Sequence, residues 1–404
     1  MTKLLVINQF ASIPENLYGA GERMFHMSPF LNKAGYKVTI ISGGYNHLFK
    51  KCPEITGLFN IQKFDSFDFI WVRLRKYNSN NFIGRVFSWF EFLFKLFLYK
   101  PAERPDIVIV SSMSLLPIVY AVWMKFKYKC KFILEIRDIW PLTPMEIGGY
   151  SSKNPLMFFL RKLELFGYKK ADFIVSVLPG FKKYLSENGF SKVNFRWIPN
   201  GVMPHLNKTI TPSINFNKNK FNIVYAGAIG KANALDFLVD ACRLIMLEYP
   251  HIHVNIIGDG PDKGALMNRS VGLTNVTFFN KVSKNEVAEI LVNADVCYIG
   301  WHDRKLYNYG VSANKYNDYM LSRRPILSSS TIHDDPVLIS RSGIKVDPDP
   351  RSIADGIIQF YKMTNKEREL MGLSGFEFVT KFQTYPILAN SYIDVLKAVA
   401  LKKI

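Results

Sequence analysis

The sequence predicts an α/β protein of two domains, each a parallel sheet covered by helices. Short, continuous apolar runs alternate with stretches of helical spacing along the whole chain, as strands buried on both faces require. The alternation pauses once, around Ile198-Pro199-Asn200-Gly201-Val202, and resumes at Ile223. A chain of 404 residues is also too long for one ordinary core and suits two.

Taken in order, Leu4–Ile7 is a short apolar strand and Glu22–Lys33 has helical spacing, with Pro29 expected to kink it. Val38–Ile41, Phe69–Val72, Ile107–Val110, Phe132–Ile136 and Phe173–Val177 are further strands with helical patterns between them. Met203–Lys220 is polar and aperiodic. The second series runs through Ile223–Tyr225, Val254–Ile257, Val276–Phe279, Val296–Ile299 and Ile326–Ser328. Phe376–Leu401 reads as one or two closing helices. The expected boundaries are 1–200, 201–375 and a helical tail, 376–404, returning to the first domain.

Composition narrows the function. The apolar fraction of 48% excludes a disordered chain. The four cysteines are scattered, with no C-x-x-C pair, so neither a zinc site nor a disulfide framework is signalled and a reducing cytosol fits. Met1–Asn8 runs straight into a strand without a signal-peptide pattern. Lys plus Arg is 52 against 33 Asp plus Glu, a formal +19 that favours an anionic partner. That charge is spread along the chain, unlike the basic stripe of a nucleic-acid binder, so no nucleic acid is expected.

Four places carry chemistry. The loop after the first strand holds Gly19 and Gly21 just before a helix, where free N–H groups and the helix dipole attract anions, or where a plain tight turn sits. Its spacing is not G-x-G-x-x-G and no acid follows about 20 residues on, which argues against a dinucleotide-binding oxidoreductase. In Tyr225-Ala-Gly227-Ala-Ile-Gly230-Lys231 a strand ends, two glycines let the chain turn, and Lys231 stands at the next helix start. A cation facing a positive helix pole suggests a bound diphosphate. In the segment Tyr307–Met320, Ser312 is expected as an N-cap, opening a helix whose Ala313 and Asn314 amides and Lys315 face a phosphate. Asp318 on the same helix suits two ribose hydroxyls, and the alternative is a capped surface helix with a Lys315–Asp318 pair. Glu135-Ile-Arg137-Asp138 closes a first-half strand at its carboxyl end, where open α/β sheets bind ligands, or forms a structural Arg137–Asp138 pair. His251 and His253 flank one strand residue without a third ligand and read as exposed edge positions, so no metal is expected.

With these residues in place, the chain resembles glycosyltransferase family 4, in the branch of O-antigen and capsule enzymes typified by the N-acetylfucosamine transferase. The resemblance rests on Glu22-Arg23, Arg137–Pro141, Ile198–Val202, Gly227–Lys231, Ile256–Pro261, Ala294–Val296 and above all Tyr309–Met320, in that order. It implies the GT-B fold, two Rossmann-like domains facing across a cleft with the last helix crossing back. It implies a nucleotide-sugar donor, retained configuration, and neither metal nor other cofactor. By position, Lys231 and Ser312–Lys315 would meet the donor diphosphate and Asp318, the second acid of E-x7-E, the ribose. Lys281-Val282 would lie near the base, and Gly19–Gly21 would face the donor sugar. The first acid of that motif falls on Gly310, and the family's frequent histidine falls on Arg137 beside Asp138.

The expected reaction moves a deoxy or N-acetylated hexose from UDP to a glycan on a polyprenyl diphosphate, with Arg137 and Asp138 at the catalytic position. A nucleotide-sugar epimerase of the same fold, or a Rossmann oxidoreductase, is the alternative. The segment Phe82–Lys100 is expected to dock on the anionic inner face of the membrane, making a cytoplasmic, peripheral protein. As a helix it shows one narrow polar stripe, Arg85, Ser88, Glu91 and Lys95, on an otherwise apolar cylinder.

Overall fold

The computed structural model describes residues 1–14, 21–47, 49, 51–78, 81–203 and 211–401. Gly19 lies outside them. The chain divides into two compact units, Met1–Pro199 with Tyr385–Ile404, and Asn200–Thr384. Each is an α/β layer structure with a predominantly or wholly parallel sheet.

The first unit runs β1 (Thr2–Ile7), α1 (Arg23–Lys33), β2 (Tyr36–Gly43), β3 (Phe59–Phe64), β4 (Phe67–Val72), α2 (Phe82–Leu98) and β5 (Ile107–Ser111). It continues through α3 (Pro117–Tyr128), β6 (Lys131–Ile136), α4 (Leu142–Glu146), α5 (Pro155–Lys170), β7 (Phe173–Ser176), α6 (Phe181–Glu187) and β8 (Phe195–Trp197). The second holds β9 (Phe221–Ala226), α7 (Leu235–Ile245), β10 (Ile252–Ile257), α8 (Lys263–Arg269), β11 (Val276–Phe279), α9 (Lys284–Leu291) and β12 (Val296–Gly300). There follow α10 (Asn314–Leu321), β13 (Ile326–Ser329), α11 (Pro336–Ser340), β14 (Gly343–Val346), α12 (Pro350–Lys362) and α13 (Asn365–Phe382); α14 (Tyr385–Leu401) returns to the first unit.

The first sheet has the order β3-β4-β2-β1-β5-β6-β7-β8 and the second β11-β10-β9-β12-β13-β14. In both, the chain winds one way from a central strand and then the other. The winding reverses between β1 and β5, and between β9 and β12. Right-handed crossovers then put α1 and α3 on opposite faces of the first sheet. Crevices outside the carboxyl ends of such reversal pairs are where open sheets bind ligands.

α1 fills its face with Met24, Met27 and Leu31, and α14 lays Tyr392 and Leu396 beside them, all fully or nearly buried. Truncating one such side chain to alanine costs about 2–5 kcal/mol. In the second unit α7 and α12 press Leu238, Cys242, Ile353 and Ile357 onto β9 and β10.

Several expectations need correction. The first sheet is not wholly parallel, because β3 pairs antiparallel with β4 through a tight turn at Asp65-Ser66. Its alternating, half-exposed pattern lacks the continuous apolar run of an interior strand. The helical tail does not begin at 376: α13 spans that point within the second unit, packed on α10, and the return starts at Tyr385. His253 is no exposed edge residue, since β10 lies between β9 and β11 and His253 hydrogen-bonds Thr277 Oγ1 at 2.8 Å. The sequence left open which way the polar stripe of α2 turns, and much of it turns inward. Ser88 is buried and accepts from Gln9 Nε2 at 3.1 Å, while Lys95 donates to Glu91 and to the Arg73 carbonyl, both at 2.6 Å.

Candidate functional site

In the second unit, β9 and β12 deliver Gly227–Lys231 and the segment leading to α10 from the reversal pair. Lys315, in the first turn of α10, runs back along the end of β9. Its Nζ donates to Tyr225 Oη at 2.7 Å and to Asn233 Oδ1, and lies 4.5 Å from the centre of the Tyr225 ring. Both partners are themselves fixed on one carbonyl: Tyr225 Oη and Asn233 Nδ2 donate to Ala228 O. Gly227 makes room for the lysine, because a Cβ there would sit 2.2 Å from Lys315 Cε. One turn on, Tyr319 pins α10 to the same strand, accepting from the Ala226 amide at 3.0 Å.

The electrostatic consequence is specific. Every partner of Lys315 is neutral, and among the described residues no carboxylate pairs with it. Burial lowers its pKa to about 7. An anion brought beside this amine would restore the charged form. Lys263, the first residue of α8, differs. It donates to the Gly258 and Phe279 carbonyls and to Asn280 Oδ1, each at 3.0 Å, tying β10 to β11.

The other expected residues are placed less uniformly. Lys231 is exposed and does not face a helix pole. It starts a single 3-10 turn, Lys231–Asn233, separated from α7 by Ala234 in the left-handed region at φ 44°. Gly230 is extended, and a Cβ there would meet Pro261 Cγ at an ordinary 4.0 Å, so the turn does not require glycine there. Ser312 is not the N-cap. Ala313 is, and Ser312 Oγ instead accepts from the Asn200 amide at 2.9 Å. Asn200 Nδ2 also donates to Ser312 O at 2.6 Å, and Asn317 Nδ2 to Asn200 O at 3.0 Å. The reason is that the junction asparagine competes successfully for the hydroxyl. Asn314 is the first helical residue and Asp318 stands half-buried one turn later. Gly310, where the first acid of E-x7-E is absent, has φ 83° and ψ 178°. That conformation is essentially confined to glycine. Lys281 and Val282 follow β11.

In the first unit, the charges at the end of β6 separate. Glu135 is fully buried and takes Arg23 Nε at 3.0 Å, and the same guanidinium donates to the Ile198 and Pro199 carbonyls. Glu135 is therefore structural. Arg137 and Asp138 are half-buried in the turn beyond, with the Arg137 amide donating to Ser112 Oγ at 3.0 Å. Burial pushes the Asp138 carboxyl up, against the opposing pull of Arg137. Gly21 accepts from the Ser12 amide at 3.3 Å just before α1. At the N-cap of α1, Glu22 Oε2 lies 3.1 Å from His26 Nε2.

Sequence reasoning quoted Tyr225 and Asn200 within motifs without giving either a part in the site, and missed Asn233. Nothing local ties Tyr225 or Asn233 to Lys315. No group of three or more His, Cys, Asp and Glu side chains able to hold a metal occurs among the described residues. Nor among them is any helix long and apolar enough to cross a membrane.

Two family models match the chain, Glycosyltransferase Family 4 over residues 18–206 and Glycosyl transferases group 1 over residues 220–363. No curated protein matches. Among solved structures, the sucrose-phosphate synthase of Thermosynechococcus elongatus is 14% identical with a TM-score of 0.76, covering 100% of both chains. The UDP-forming trehalose-phosphate synthase of Burkholderia vietnamiensis is 12% identical with a TM-score of 0.68, covering 99% of this chain and 100% of its own. Anabaena HepE in complex with UDP-glucose is 12% identical with a TM-score of 0.66, covering 98% and 100%. At these identities the likeness is one of fold.

Proposed function

We propose that this chain, a glycosyltransferase of the GT-B type, moves a deoxy or N-acetylated hexose from a UDP donor to a hydroxyl of a growing surface polysaccharide, with retention. The acceptor is lipid-linked, and the protein works peripherally at the inner face of the cytoplasmic membrane.

The observation that carries the reading is Lys315, an inward cation with only neutral partners at the carboxyl end of β9. A leaving diphosphate is the anion such a position suits. Two similar folds support the choice of base, one named UDP-forming and one solved with UDP-glucose. Lys315 meets the diphosphate, and Lys231 and the Asn314 amide add donors. Preorganised charge of this kind lowers the barrier as negative charge develops on the leaving group. Asp318 holds the ribose hydroxyls, and Lys281 and Val282 lie towards the base. Asp138, whose carboxyl burial pushes up against the opposing pull of Arg137, accepts the acceptor proton or orients the acceptor hydroxyl. The donor sugar faces Gly19–Gly21. No divalent metal and no other cofactor take part.

Thermal shift with UDP, UDP-sugars and NAD tests the donor class. UDP should raise the melting temperature and NAD should not; the reverse result overturns the reading. Sugar transfer to a polyprenyl-diphosphate glycan in excess EDTA tests the chemistry. Activity lost in EDTA and restored by magnesium or manganese would refute metal independence. Donor consumed without any acceptor would instead assign an epimerase.

A further inference from the structure

α2 is turned the wrong way round for a helix that faces water. Its charged pair is tucked in, Glu91 at 19% and Lys95 at 15% side-chain exposure, while Phe87 and Phe94 stand 70% and 65% exposed. The inward face also holds Trp89, Phe92 and Leu96, so both broad flanks of the helix are apolar. Glu91 has a second bond, from the Arg75 amide at 3.1 Å, which fixes this orientation. Ile83, Phe87, Phe90 and Phe94 then recur every three or four residues as one outward stripe.

The stripe continues onto neighbouring helices. Phe90 stacks on the exposed Phe159 of α5 with centroids 6.5 Å apart, beside the exposed Phe158. Phe97 meets Trp123 of α3 at 5.3 Å. Cations lie over this aromatic surface: Lys127 over Trp123 at 4.5 Å and Lys162 over Phe158 at 5.3 Å. α2, α3 and α5 together contain eight Arg and Lys against two acids, Glu91 and Glu164. Both acids are already paired, with Lys95 and Arg161. A groove of about 690 Å³ opens beside the stripe, with Arg75 and Lys76 on one wall and Phe87, Phe90 and Phe94 on the other.

We infer that the face formed by α2, α3 and α5 docks on an anionic phospholipid bilayer, its phenylalanines entering the acyl boundary and its lysines meeting the headgroups. A soluble protein rarely leaves so large an aromatic surface in water. Charge decides between occupants: a second copy would bring the same net-positive face against itself, whereas an anionic surface complements it. The basic wall of the groove suits a lipid phosphate and its aromatic wall the adjoining chain. This deepens the membrane partner proposed above and rests on that reading only for its purpose, access to a lipid-linked acceptor.

The test is flotation of the full chain with vesicles of equal parts phosphatidylglycerol and phosphatidylcholine, and with phosphatidylcholine alone. Wild type should float with the anionic vesicles, and less so at about 0.5 M salt than at about 0.05 M. Phe87→Ser with Phe94→Ser should lower partitioning at least about tenfold. Leu247→Ser, removing a side chain 88% exposed in the other unit, should not. UDP binding is measured on the same preparations. Wild type left in solution at low salt overturns the docking face, as does equal flotation of the double variant. A dimer in sedimentation that the double variant abolishes also overturns it, by assigning the face to a second copy. Intact UDP binding beside any of these leaves the transferase reading standing; UDP binding lost with flotation intact does the converse.

Discussion

Two inward cations stand at strand ends, one in each unit, and their surroundings differ in a single respect. Arg23 meets the Glu135 carboxylate and two backbone carbonyls, so its charge is answered inside the protein. Lys315 meets a phenol, an amide oxygen and an aromatic face, so its charge is solvated but not cancelled. The first arrangement binds elements together. On the proposed function, the second is the one that takes an anion from outside. Burial alone does not separate structural from functional charge; the identity of the partner does.

The sharpest way to break the comparison is to delete each cation. Arg23→Ala leaves Glu135 buried and unpaired, so chemical denaturation should report a loss of about 3–5 kcal/mol. A loss below about 1 kcal/mol would mean that Glu135 finds another partner and is not held structurally. Lys315→Met should behave in the opposite manner. Stability should hold or rise, while UDP affinity falls about tenfold or more, the worth of a charged hydrogen bond at about 1.5–3 kcal/mol. Titration calorimetry showing unchanged affinity in a folded variant would take Lys315 out of the site.

Protonation sharpens the same contrast. The folded-state pKa of Lys315 is lowered to about 7 from an ordinary 10.5. Between these values the unfolded chain binds the extra proton, so raising the pH through that window favours folding. Wild type should therefore gain stability relative to Lys315→Met as pH rises from about 7 towards 10. UDP binding near pH 8 should also take up a proton, seen as a buffer-dependent binding enthalpy that Lys315→Met abolishes.

A smaller effect is expected one turn along α10. Asp318→Asn keeps shape and removes charge, so UDP affinity should fall by about tenfold if its carboxylate holds the ribose. Equal affinity in both proteins would assign it to the helix surface. Gly310→Ala forces a Cβ into a glycine-only conformation and should cost about 1–3 kcal/mol of stability with no change at all in UDP affinity. Unchanged stability would show that the chain relaxes there, and that the missing acid of E-x7-E is not a matter of backbone geometry.

The sequence by itself determined the layers. Buried parallel strands must be continuous apolar runs, so Leu4–Ile7, Ile107–Val110 and Ile223–Tyr225 were readable without a structure. The half-exposed β3 and β14 lack such runs and were not. It also determined which stretches hold glycine, lysine and acid at strand ends, because those types recur wherever a chain turns towards an anion. Tertiary structure alone decided what each of them meets. Ser312 was readable as a cap by local rule, yet the hydroxyl goes to Asn200, 112 positions away. Glu135, Arg137 and Asp138 look alike in sequence, and only Arg23, 112 residues from Glu135, removes Glu135 from the set. The amphipathic pattern of α2 showed two apolar flanks and one polar stripe but not which way they turn. A helix's own periodicity fixes the angles between its faces, and only packing against Gln9 and Arg73 fixes which face the water sees.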